Sequence, residues 1–279
     1  MIFDTHTHYD DEAYASDRDE LIRALPAQGV GRICNIGASM QGTRDSIALS
    51  AKYPYVFAAA GIHPDEVAEL NEETFAELRA MAAEHLYRRK PEPAEPASGR
   101  VVAIGEIGLD YHGYDIYDNK PDKETQKYWF RRQLELAVEL ELPAVIHSRS
   151  AAADTLEMMR QAHADGLKCA VIHCYSYSKE IAMQYLEMGY YIGIGGVLTY
   201  EGQKKLTKTV EAMPLDRILL ETDCPYLTPV PIRKEQERNS SAYLTYVRDR
   251  IAEVRGITPE AVEAAAWENA CRFYGLAAV

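Results

Sequence analysis

The sequence predicts an α/β fold, a (β/α)8 TIM barrel forming a single domain over residues 1–279. Two observations carry that reading. Eight short apolar runs alternate with longer amphipathic runs, the order of repeated strand–helix units. Histidines and carboxylates interrupt those apolar runs at their C-terminal ends, where barrel enzymes build their sites. The length agrees: 279 residues, 47% of them hydrophobic, suffice for one barrel core. Two ordinary domains also fit that length. An open doubly wound sheet shares the alternation, because periodicity does not show closure.

The elements follow in order. Strands are expected at Ile2–Thr7, Arg32–Ile36, Val56–Ile62, Val101–Ile107, Pro143–His147, Ala170–His173, Tyr190–Ile194 and Arg217–Glu221, each a short apolar run. Helical patterns lie between them at Asp17–Gln28, Glu73–Arg88, Lys123–Glu141, Ala151–Ala164 and Lys179–Met188. In the third of these, Trp129, Phe130, Leu134, Ala137, Val138 and Leu140 recur with a helical period. Gly29, Gly166 and Gly189 stand where helices end. Two stretches break the rhythm. "RRKPEPAEPASG", Arg88 to Gly99, is proline-rich and polar and reads as a surface loop or insertion. "LTPVPIRKEQERNSS", Leu227 to Ser241, is long for a turn, and long loops at strand ends are often functional.

The formal net charge of -13 argues against a broad basic groove that binds nucleic acid by counterion release. A phosphate-polymer substrate therefore needs a local source of positive charge. The five cysteines form no C-x-x-C pair, so reduced thiols in the cytoplasm are expected rather than a disulfide framework. No signal peptide and no membrane-spanning run is expected.

The opening stretch, "FDTHTHYDD", places His6 and His8 one residue apart. On a strand they share a face, and two neutral imidazoles can grip one divalent ion. The later strands end in similar residues: His63, Glu106, His147, His173, and the pair Glu221 and Asp223. Each breaks an apolar run where burial favours an apolar side chain. Four histidines (His6, His8, His147 and His173) and two carboxylates exceed one tetrahedral site and suit two ions about 3.5–4 Å apart. Glu106, on a middle strand, is the natural bridge. Some metal-dependent barrel hydrolases use a carboxylated lysine there, but no lysine stands near the end of an expected strand.

Taken in order, these residues resemble the TatD family of metal-dependent deoxyribonucleases, within the amidohydrolase-like barrels. The resemblance spans nearly the whole chain. It rests on "DTHTH" at Asp4–His8, "GIHP" at Gly61–Pro64, "GEIGLDY" at Gly105–Tyr111, "RQLELAVELELPAVIHSR" at Arg132–Arg149, "ETDCPYL" at Glu221–Leu227 and "ENACRFYGL" at Glu268–Leu276. It implies that His6, His8 and Asp223 hold one ion, that His147 and His173 hold another, and that Glu106 bridges them. It further implies that His63 and Arg233 contact substrate phosphate. Asp65, Ser150, Asn239–Ser241 and Ile192–Tyr200 depart from the family pattern, and none is an expected ligand.

The expected activity is phosphodiester hydrolysis of DNA, as an exonuclease on single-stranded or frayed ends. It would use two divalent ions (Mg, Mn, Zn, Fe or Co), an activated water, and Asp223 as general base. The alternative is a small-molecule ester, lactone or amide hydrolase on the same barrel. A monomer with no membrane association and no obligate protein partner is expected.

Overall fold

Eight parallel strands stand in chain order, β1 through β8, with helices between them, the arrangement of a (β/α)8 barrel. The structure, a computed structural model, describes residues 1–87, 99–114 and 120–278. Nearly all of the Arg88–Gly99 stretch lies outside the described residues. The chain falls into two compact units, residues 1–35 with 173–279, and residues 36–172.

The first unit contains β1 (Ile2–Thr7), most of β2 (Val30–Ile36), β7 (Tyr191–Ile194) and β8 (Ile218–Leu220). Its helices are α1 (Arg18–Ala24), α6 (Lys179–Glu187), α7 (Lys204–Ala212), α8 (Leu244–Arg255) and α9 (Pro259–Phe273). Thr258 caps α9 by accepting from Ala261 N, and Pro259 at its first position needs no hydrogen-bond partner. α9 seats β1 and β8. Phe3 stacks on Tyr274 with centroids 5.5 Å apart, and Tyr274 Oη donates to Thr5 O at 2.7 Å. Asn269 Nδ2 donates to Ile218 O at 2.9 Å. Beyond β8 the chain returns to β1: Thr7 bridges Cys224 in parallel, and His8 N donates to Cys224 O at 2.8 Å.

The second unit contains β3 (Val56–Ala60), β4 (Val101–Asp110), β5 (Ala144–Arg149) and β6 (Ala170–Ile172). Its helices are α2 (Met40–Lys52), α3 (Glu72–Glu84), α4 (Lys123–Glu139) and α5 (Ala152–Ala164). Asn71 and Thr74 form a reciprocal capping box at α3, and Asp122 caps α4 from Thr125 N. Two buried glutamines lie on the inner face of α4, two turns apart. Gln133 Oε1 accepts from Ile62 N at 2.8 Å, and Gln126 Oε1 accepts from Asp110 N at 2.9 Å. One helix thus fixes the chain at the ends of both β3 and β4.

Several boundaries differ from the sequence expectation. β3 stops at Ala60, because Gly61 and Ile62 turn their backbone groups to Thr43 and Gln133. β4 runs three residues past Ile107 to Asp110, paired with β5 as Gly108 to His147 and Asp110 to Arg149. Glu106 therefore lies within its strand, not at the end. Helices α2, α7, α8 and α9 have no counterpart among the expected helical patterns. In α2 the buried face includes Thr43, Ser46 and Ser50, so no clean apolar stripe marks it.

Gly108 has φ of 153°, and a Cβ there would lie 1.9 Å from His147 O. Its missing side chain lets β5 close on β4. Gly108→Ala is expected to destabilise the protein by about 3 kcal/mol. Urea unfolding checks this, and an unchanged midpoint would contradict the close approach.

Candidate functional site

In the first unit, strand alternation aims His6 and His8 the same way, and their Nε2 atoms lie 3.1 Å apart. Asp223 joins them because the segment after β8 is pinned to β1. Asp223 N donates to His6 O at 2.9 Å, while Thr222 donates to the buried Asp4 through N at 3.0 Å and Oγ1 at 2.6 Å. Asp223 takes φ of 58°, a left-handed conformation that aspartate tolerates better than most residues. Its Oδ1 then stands 3.6 Å from His6 Nε2 and 3.4 Å from His8 Nε2. A tetrahedral ion with bonds of about 2.0–2.2 Å spaces its donors roughly 3.3–3.6 Å apart. The three side chains fit one divalent ion.

His173 follows β6 directly, and its ring stacks on His6 with centroids 4.0 Å apart. Beside it Glu221 is fully buried, and Oε1 accepts from Cys174 N while lying 3.8 Å from His173 Nδ1. Oε2 has no hydrogen-bond partner among the described residues. Burial pushes the Glu221 carboxyl up to about 8, against the opposing pull of His173 and the Cys174 amide. A divalent ion nearby favours the carboxylate and reverses that balance. His6, His173 and Glu221 also offer three donor atoms close enough to share an ion. Burial opposes charge on Asp223 too, but the His8 hydrogen bond and the charges of His173, His6 and His8 outweigh it. Its carboxyl therefore sits below the usual range.

In the second unit, Glu106, Gly108 and Asp110 alternate onto one face of β4. The His147 ring on β5 spans the two carboxylates. Its Nδ1 lies 2.7 Å from Glu106 Oε1, and its Nε2 lies 3.0 Å from Asp110 Oδ2. Lys120 Nζ donates to Asp110 Oδ1 at 2.7 Å and reaches Asp65 Oδ1 at 2.8 Å. Burial works against a charged His147, yet the hydrogen bonds its ring donates to Asp110 and Glu106 raise it to about 9. Asp110 is held well below the usual carboxylate range: burial opposes this, and the His147 and Lys120 hydrogen bonds prevail. His63 stands edge-on to His147 with centroids 4.3 Å apart, its Nε2 3.8 Å from Glu106 Oε1. Burial and the neighbouring His147 lower it to about 4, so the ring is neutral near pH 7. Asp65 N donates to His63 Nδ1 at 3.2 Å, which leaves the ring proton on Nε2. His63, Asp110 and His147 also form a group able to hold an ion.

The expected site residues thus collect as His6, His8, His173 and Asp223 in one unit, and as His63, Glu106 and His147 in the other. Arg233 is in the first unit, exposed, with its guanidinium 4.5 Å over the Tyr200 ring. The sequence assigns no role to Asp110, Lys120 or Asp4, nor to Glu221, which stands at the end of an expected strand. Asp110 carried a readable signal, being four residues past Glu106 and so in phase with it on one strand. Ending β4 at Ile107 hid it. Lys120 carried none. No lysine was expected near a strand end, and the fold brings one back from ten residues beyond Asp110.

A family model described as TatD related DNase matches residues 3–275. An uncharacterized metal-dependent hydrolase of Bacillus subtilis, YabD, is 35% identical over 98% of this chain and 99% of its own. The 3'-5' ssDNA/RNA exonuclease TatD of Cronobacter sakazakii is 33% identical over 98% of this chain and 97% of its own. The crystal structure of YJJV, a TatD homologue from Escherichia coli, matches with a TM-score of 0.86 and 27% identity. It covers 99% of this chain and 98% of that one.

A histidine raised to about 9 carries its proton at neutral pH in the metal-free protein. Its contribution to folding stability is complete below the ordinary histidine value near 6.5 and is lost as pH rises through about 9. A metal ligated by His147 must displace that proton, so binding tightens across the same window. Calorimetry of Mn binding at pH 7.5, in buffers of different ionisation enthalpy, is expected to show about one proton fewer released by His147→Ala than by the wild type. Equal proton counts would exclude His147 as a ligand.

Proposed function

The chain belongs to the TatD-related DNase family of metal-dependent hydrolases acting on ester bonds, and from that premise we propose that it hydrolyses DNA phosphodiesters, as an exonuclease on single-stranded or frayed ends. The observation that carries the reading is the grouping of His6, His8 and Asp223 at ligand spacing around one point. In the proposal His6, His8 and Asp223 would hold one divalent ion, His147 and His173 would hold a second, and Glu106 would serve both. Mg, Mn, Zn, Fe and Co all suit this mixture of imidazole and carboxylate. When bound, the ions offset charge on the attacked phosphate and lower the pKa of a water.

The chain's own residues do the rest. Asp223, ionised at neutral pH, accepts the water's proton on its carboxylate. His63 is neutral with its proton on Nε2, so it donates a hydrogen bond to a phosphate oxygen rather than pairing as a cation. Asp110, anchored by Lys120, holds the His147 ring by Nε2, so that Nδ1, which faces Glu106 Oε1, would be the atom that ligates. Arg233 contacts the phosphate backbone. The acidic surface leaves the bound ions as the main positive charge, which suits short single-stranded ends better than long duplex. The proposal includes a monomer with no obligate protein partner, located in the cytoplasm. That location is argued from an odd set of cysteines without a C-x-x-C pair. Among the described residues no helix is long and apolar enough to cross a membrane.

Chelator treatment is expected to abolish cleavage of end-labelled single-stranded DNA, and added Mg or Mn to restore it. Full activity in protein shown by elemental analysis to be metal-free would sink the proposal. So would turnover of esters or lactones with none of oligonucleotides.

Glu106→Ala is expected to lose at least one ion and at least about 100-fold in kcat. His63→Ala is expected to keep both ions and lose about 100-fold in kcat/KM. Metal counting on the two variants decides the matter. If His63→Ala loses an ion while Glu106→Ala retains two, the division between ligands and phosphate contacts is wrong.

A further inference from the structure

We propose that Tyr226 is a stacking platform for a nucleobase, holding the base that flanks the phosphate handled at Asp223. This rests on the function proposed above and names how that site recognises single-stranded DNA.

Among the described residues five large apolar or aromatic side chains are exposed: Met1, Tyr87, Tyr128, Met183 and Tyr226, the last 55% exposed. Tyr226 alone of these lies within three residues of an expected ligand. A turn joins them, with Tyr226 N donating to Asp223 O at 2.9 Å. Such a turn keeps the two Cα atoms within about 7 Å. A base next to a phosphate at Asp223 is therefore within reach of the ring.

The ring is also held still. Tyr226 Oη donates to Asp11 Oδ2 at 2.9 Å, and Asp11 Oδ1 is itself held by Ala13 N at 2.7 Å. On the backbone side, Asn239 Nδ2 donates to Tyr226 O at 2.7 Å and to Thr222 O at 3.1 Å. A tyrosine tethered at its hydroxyl and its main chain offers a flat face with little rotational freedom left to lose on binding. The same unit buries Tyr9 and Tyr14 completely, so exposure of Tyr226 is not the general fate of tyrosine there.

Charge makes such a face necessary. With a net charge of -13 the surface offers little counterion release. Stacking on an aromatic ring does not depend on charge, and it accepts every base, as an enzyme consuming strands of any sequence requires.

The test uses the full-length, metal-loaded enzyme and a single-stranded DNA pentamer, intact or abasic at each position in turn. Tyr226→Ala is expected to raise KM for the intact pentamer at least about fivefold, with Tyr226→Phe staying within about twofold of wild type. In the wild type one abasic position should raise KM by a similar factor, and Tyr226→Ala should be insensitive to that position. The idea fails if Tyr226→Ala keeps the wild-type KM. It fails too if Tyr226→Phe is as impaired as Tyr226→Ala, because the hydroxyl link to Asp11 is then the whole role. Independent, multiplying losses from ring and base would overturn it as well. If the wild type cleaves no oligonucleotide, the proposed function has failed and this inference falls with it. Cleavage with an unaltered KM in Tyr226→Ala removes the stacking role alone.

Discussion

Two backbone hydrogen bonds join the start of the chain to the segment after its last strand. Asp223 N donates to His6 O, and His8 N donates to Cys224 O. Everything at the first cluster depends on that junction. It holds a carboxylate against two histidines more than two hundred residues away in sequence, and it does so through the main chain. The buried Asp4 reinforces it from beneath by accepting both the N–H and the hydroxyl of Thr222. Burial raises the Asp4 carboxyl to about 6, countered by hydrogen bonds from Ser241, Thr222 and His6. A buried carboxylate is costly to keep, and here it is spent on orienting a neighbour.

The second cluster meets the same difficulty by a different device. Glu106 and Asp110 put two carboxylates on one face of β4, a like-charge arrangement that is unfavourable by itself. His147 between them and Lys120 beyond them supply the opposite charge. The Lys120 side chain is only 6% exposed and Asp110 is buried, so that pair is little screened by water, while Asp65 on the other side is exposed. The outcome is an imidazole fixed at both ring nitrogens and a His63 kept neutral beside it. Unequal environments thus set apart two histidines that lie in contact, one favouring its proton and the other refusing it.

The helices serve these positions as much as they fill the core. Gln126 and Gln133 reach from α4 to the ends of β4 and β3 and replace the ladder hydrogen bonds that those strand ends lack. Asn239, in the long segment after β8, does the same for Thr222 and Tyr226. Single polar side chains placed in this way hydrogen-bond the irregular backbone on which the chemistry-bearing residues stand.

Strand order, the shared face of His6 and His8, and the histidines and acids that interrupt the apolar runs were legible in the sequence, although Glu106 and His147 stand within their strands rather than at the ends. Each follows from local period: two residues for a strand, 3.6 for a helix, and polar residues where apolar ones are expected. The family was legible for a related reason, since its motifs are short and contiguous. Helix α2 was less so, because its buried face carries threonine and serine. Asp110 was legible in principle from its phase with Glu106, provided the strand ran its full length. Lys120, the Gln126 and Gln133 clamps and the Asp4–Thr222 link were not legible. Their partners lie at separations no periodicity spans. The protonation of His147 and His63 was likewise decided only by tertiary structure, because it depends on which groups stand within a few ångströms and how little water reaches them.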